Sequence, residues 1–190
     1  MKIKAIILTA AIFMMTSAVC FAEISPNESM QKICNAFLYL DEADLKSLNS
    51  SPDQMRKSYI SGFENSDGDI KFTGEQSERI TDALIEQVRQ KVKFDVKTES
   101  VSGNKAVVAV TITGINLNET ISKISFDATN VPPEKLSEVA TNEIISELKN
   151  VSPKAPVTVK FNFVFDENNG MWFPEGEGDN LNPLFEAAFA

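Results

Sequence analysis

The residues best placed to do chemistry are carboxylates, and their spacing suggests cation binding. Asn65-Ser66-Asp67-Gly68-Asp69 sets oxygen ligands at alternate positions around a glycine. With Gly68 at the turn of a calcium loop, Asn65, Asp67 and Asp69 take ligand positions three, five and seven. Ile70 then falls where such a loop has an apolar residue. The first ligand position, however, becomes Phe63, and the bidentate glutamate position becomes Gly74. Two of the strongest ligands are therefore missing, and the segment reads as a polar turn between helices. Glu175, Glu177 and Asp179, separated by glycines, could also collect a cation, but they read as a solvated acidic loop.

Other chemistries are excluded by residue type. The chain has no histidine, so neither a Ser-His-Asp or Cys-His triad nor a histidine zinc site can be built. There is no phosphate-cradling glycine loop of either common pattern. Without one, Asp41-Glu42-Ala43-Asp44 matches a helicase motif only by coincidence and reads as a solvated helical stretch. Paired carboxylates for acid–base catalysis are available in so acidic a chain, yet no spacing singles out a pair. We therefore assign no catalytic residue, no metal ligand and no cofactor from the sequence.

The N-terminus carries an address. Lys2 and Lys4 precede the apolar run Ala5 to Met15, and small residues follow at Ser17, Ala18, Cys20 and Ala22. This is the three-part pattern of a secretory signal peptide, with cleavage expected between Ala22 and Glu23. The expected organisation is signal peptide 1–22 and a single domain 23–190, periplasmic or extracellular, with no membrane span. Cys20 offers an alternative as the lipid-bearing residue of a bacterial lipoprotein. Ser17 and Val19 depart from the usual lipobox at both flanking positions.

Cleavage has physical consequences. Removing Lys2 and Lys4 leaves 16 basic residues against 27 acidic ones, a net charge of −11 rather than −9. That sign argues against nucleic acid and anionic membrane surfaces as partners. Only Cys34 survives, so no intramolecular disulfide can form and the fold must rest on its core. Flanked by Ile33 and Phe37 on a helical apolar face, Cys34 reads as a buried, inert thiol.

Three helix starts are legible. Ser25-Pro26-Asn27-Glu28, Ser51-Pro52-Asp53-Gln54 and Thr73-Gly74-Glu75-Gln76 each have the form of a capping box. Apolar residues at helical spacing follow each one. The first set, Met30, Ile33, Cys34, Phe37 and Leu38, continues to Leu45 and Leu48 and predicts one long helix. Near Val92 the period drops to two: Val92, Phe94, Val96 and Thr98 alternate with Lys93, Asp95, Lys97 and Glu99. Ser102-Gly103-Asn104 turns the chain into Lys105 to Thr113, which is apolar on both faces and so expected to be central. A short strand is expected within Ile121 to Phe126, and a helix inserted near 133–150 after Pro132-Pro133. Val157 to Phe165 forms the clearest strand, Met171-Trp172-Phe173 its partner, and Leu184, Phe185 and Phe189 mark a tail helix.

Helices followed by antiparallel hairpins predict an α+β class, with N-terminal helices on a curved sheet. Capped helices, the Val92-Lys93-Phe94-Asp95-Val96 strand, the Gly103-Asn104 turn, the run Lys105 to Ile112 and a last hairpin carrying Trp172 together form a familiar order. It resembles the cystatin-like, cone-shaped fold of the nuclear transport factor two-like superfamily, and more narrowly small exported bacterial domains of unknown function. The resemblance implies a cone whose aromatics are core or line a pocket, and it carries over no catalytic residue. The expected function is an exported, non-enzymatic binding or accessory domain, with a small apolar ligand or a protein partner. The alternatives are an enzyme using carboxylates in the cone, or a homodimeric interaction module joined through the sheet.

Overall fold

The computed structural model describes residues 24–65, 70–124, 131–176 and 180–190. Helix α1 (Pro26–Tyr39) begins at a complete capping box: Ser25 Oγ accepts from the Glu28 N–H at 3.2 Å, and the Glu28 carboxylate accepts from the Ser25 N–H at 2.9 Å. It stops at Leu40, which adopts the left-handed conformation at φ 49°. Helix α2 (Glu42–Ser47) then starts afresh under Asp41, whose carboxylate accepts from the Asp44 N–H at 2.9 Å. The expected single helix reaching Leu48 is therefore two. Leu45 remains in the apolar phase of α1, which is why periodicity alone hides the break.

Helix α3 (Pro52–Glu64) is capped by Ser51, which accepts from the Gln54 N–H at 3.3 Å without the return bond of a full box. Helix α4 (Gly74–Lys91) has both bonds of the Thr73–Gln76 box. Strands β1 (Lys93–Ser102) and β2 (Lys105–Thr113) are joined by Gly103-Asn104, with Gly103 at φ 59°, a value that favours glycine. Helix α5 (Leu117–Lys123) occupies the first half of the stretch expected as a strand over 121–126, Ile124 is its C-cap, and residues 125 and 126 lie outside the described residues. Ile121 is buried in the core and α5 packs on α6 (Leu136–Asn150), and this tertiary packing outweighs the strand preference of Thr120 and Ile121. A single 3-10 turn, Pro133–Lys135, leads into α6. Strands β3 (Val157–Asp166) and β4 (Met171–Pro174) form the last hairpin, and α7 (Asn182–Phe189) closes the chain.

The strands make one four-stranded antiparallel sheet in the order β1-β2-β3-β4, so β2 is interior as its apolar sequence predicts. With seven helices among the described residues packed on this sheet, the class is α+β. Helices α1 and α7 lie directly against the strands, whereas α4 packs on α1, α3 and α6 as a further layer. The inward row of Val96, Val108, Val110, Ile112, Phe161, Phe163 and Trp172 joins α1 and α4 residues in one buried cluster. Phe161, Phe163 and Trp172 are 4%, 0% and 5% exposed, so these aromatics are core.

Two contacts lock the sheet to its surroundings. Ser29 of α1, fully buried, accepts from the Trp172 N–H at 3.1 Å, and so satisfies a donor that β4 presents away from β3. At the end of β2, a Cβ on Gly114 would lie 2.3 Å from the Ala187 carbonyl oxygen, so only glycine lets α7 approach this closely. The Ile115 N–H donates to the Ala188 carbonyl at 2.8 Å across the same contact.

Candidate functional site on the open face of the sheet

Those of the residues singled out for cation chemistry that the structure describes have structural occupations. Asn65 is the C-cap of α3, Phe63 is buried, and Gly74 is the first residue of α4, so the outer positions of a calcium loop are already taken by helix ends. Ser66, Asp67, Gly68 and Asp69 lie outside the described residues, as do Glu177 and Asp179. Glu175 pairs with Lys105 at 3.0 Å. Among the described residues no group of three or more His, Cys, Asp or Glu could hold a metal ion. Ala22, Glu23 and Cys20 also lie outside the described residues.

The remaining polar candidates hold elements together. Asp41 caps α2, and Asp44 accepts from Lys32 at 3.3 Å and Asn35 at 2.9 Å, tying α2 to α1. Cys34 is fully buried, and desolvation pushes its thiol up, as expected of an inert core thiol. Tyr59 is also buried; it donates to the Phe37 carbonyl at 3.2 Å, and burial raises its phenol. Glu28 is held below its ordinary value by bonds from the Ser25 side chain and backbone. Glu138 is held low by bonds from Arg79 first and then Gln76. Both shifts run opposite to what a general acid needs.

One surface left without a structural occupation among the described residues is the outward face of the sheet. Cross-strand register places Lys97, Ala109 and Lys160 in one row and Asp95, Thr111 and Thr158 in the next. Val107 and Asn162 sit opposite each other beyond them. Lys97, Lys160, Asp95, Thr111, Thr158 and Asn162 are all exposed, while their neighbours along each strand, the exposed Val157 apart, turn to the helix-covered side. The Thr111 and Thr158 hydroxyls are 2.9 Å apart, and Lys160 reaches Glu99 at 2.9 Å. Ala109 is buried between the two lysine positions although it lies outside the hydrophobic core cluster. The surface is thus a polar, hydrogen-bonding plane with small and β-branched residues beneath long side chains.

Alternation in the sequence already turns Lys93, Asp95, Lys97, Thr158, Lys160 and Asn162 away from the apolar residues. What the sequence does not disclose is register, and hence the rows themselves. The pairs Lys160–Glu99 and Lys105–Glu175 join residues 61 and 70 positions apart and have no local signal.

A four-stranded antiparallel sheet covered on one side by helices, with its other side left open by the described residues, defines an α+β domain. Residues 35–173 match the family model for a domain of unknown function, DUF5105, and the chain belongs to that family. It is similar to a crystal structure of a candidate lipoprotein, YcdA, from Bacillus subtilis subsp. subtilis str. 168, with a TM-score of 0.60 at 14% identity. That match covers 87% of this chain and 56% of the other, so the chain spans little more than half of its neighbour's length. At this identity the likeness is one of fold. No curated protein matches the sequence. Among the described residues no helix is long and apolar enough to cross a membrane.

Proposed function

We propose that the chain is an exported, non-catalytic accessory domain that holds a protein partner on the open face of its sheet. The observation that carries this reading is the asymmetry of the sheet: its inner face is closed by α1 and α7, and its outer face is a built polar plane that nothing in the described fold covers. The buried inner aromatics favour a protein partner over a small apolar ligand. Export is supported by the leader pattern of Met1 to Ala22, with cleavage before Glu23 and one domain over 23–190. The candidate-lipoprotein description of YcdA is consistent with export and keeps anchoring through Cys20 as the alternative. The order of capped helices, hairpin, inserted helix and hairpin also supports a place in the cystatin-like, nuclear transport factor two-like superfamily.

Native mass spectrometry of the protein from its own host tests this reading. The expected species begins at Glu23 and retains a polypeptide. An intact leader, or a retained small apolar molecule in place of a polypeptide, would overturn it.

A further inference from the structure

The sheet has two edges, and they are treated differently. The edge at β4 is four residues long, and its Trp172 N–H is taken by Ser29. The edge at β1 is ten residues long, and among the described residues its backbone bonds to nothing but β2. Such an edge is a template for another strand.

The side chains along it carry a specific pattern. Lys93, Asp95, Lys97 and Glu99 alternate in sign at every second residue, and all four are exposed. Lys93 donates to the Arg89 carbonyl at 3.3 Å and Glu99 pairs with Lys160, but Asp95 and Lys97 make no ion pair among the described residues. Isolated edge charges usually discourage pairing. An alternating series discourages every partner except one that presents the opposite series.

The geometry points to a second copy of this chain as that partner, its β1 running antiparallel to this one about a two-fold axis through Val96. In that register Asp95 faces Lys97 of the partner subunit and Lys97 faces Asp95 of the partner subunit. Lys93 and Glu99 face each other in the same way at the two ends. On the inner side Val96 meets its symmetry mate and Phe94 meets Thr98. Directly opposed side chains in such a pair lie about 5 Å apart at Cβ, within reach of an ion pair. Sliding by two residues in either direction sets Lys93 against Lys97 with Asp95 against itself, or Asp95 against Glu99 with Lys97 against itself. Like charges are then opposed, and a slip of one residue turns the apolar row outward. The bulge between Thr98 and Ser100 ends the ladder on one side. The product is a continuous eight-stranded sheet with two-fold symmetry, which joins the open faces of two copies.

Sedimentation equilibrium of the protein purified from its host, across the micromolar range where small interfaces act, tests the register. Wild type forms a reversible dimer. D95K alone and K97D alone each weaken it by about tenfold or more, because symmetry converts two attractions into two repulsions. The double swap D95K/K97D again opposes unlike charges at both central pairs and returns the dissociation constant to within about threefold of wild type. Both positions are exposed, so circular dichroism of each variant is expected to match wild type. A wild type that stays monomeric, a D95K dimer of unchanged strength, or a double swap that fails to recover would each overturn the proposal. The readout is mass alone, so its failure leaves the open-face reading standing, and the reverse also holds.

Discussion

Ser29 illustrates how a single hydroxyl decides an edge. It lies one turn into α1, has no exposed surface, and receives the Trp172 N–H from a strand 143 positions away. Replacing it with alanine leaves a buried donor unpaired. S29A is expected to cost about 1–3 kcal/mol of unfolding free energy in urea titrations, with the slope unchanged. A loss within error of zero would mean that water or a shifted strand takes the bond. Nothing in the sequence around Ser29 announces this role, since the helical pattern marks only that it lies near the apolar face. Cys34, by contrast, was readable as a core thiol, because burial follows from helical spacing alone.

At the scale of elements, what could be read was what is local. The Ser25 and Thr73 boxes, the change of period at Val92 and the glycine turn at Gly103 are encoded within a few residues and stand as expected. The break at Leu40 is hidden by continuous apolar spacing, whereas the helix at Leu117–Lys123 depends on contact with a distant segment, and both escaped the pattern. The joint between α4 and α6 is of this second kind. Arg79 donates to both Glu138 oxygens, at 2.8 and 3.1 Å, and Gln76 donates to Glu138 and to Ser137.

Because the Glu138 carboxyl is held below its unfolded value, its stabilisation is complete above the ordinary glutamate range near 4.3 and is lost as pH falls through the lower folded value. The gap in thermal midpoint between wild type and E138Q is therefore expected to be full at neutral pH and to close below about pH 4. A gap that does not vary with pH would assign Glu138 to packing alone.

For the whole molecule, fold class was legible because helices precede hairpins, and the central place of β2 because its run is apolar on both faces. The candidate surface was only half legible. Alternation tells which residues turn outward, but the rows depend on register and on which face the helices choose to cover. That choice comes from α1 and α7 together, one from each end of the chain.

The claim that the open face is the working surface is tested most directly by placing a photo-crosslinking residue at Thr111, Asn162 or Glu86 and irradiating the living host. Thr111 and Asn162 lie on the open face, and Glu86 is exposed on α4 away from the sheet. Thr111 and Asn162 are expected to capture the same polypeptide, and Glu86 none. No capture from the sheet positions, or equal capture from all three, would contradict the claim.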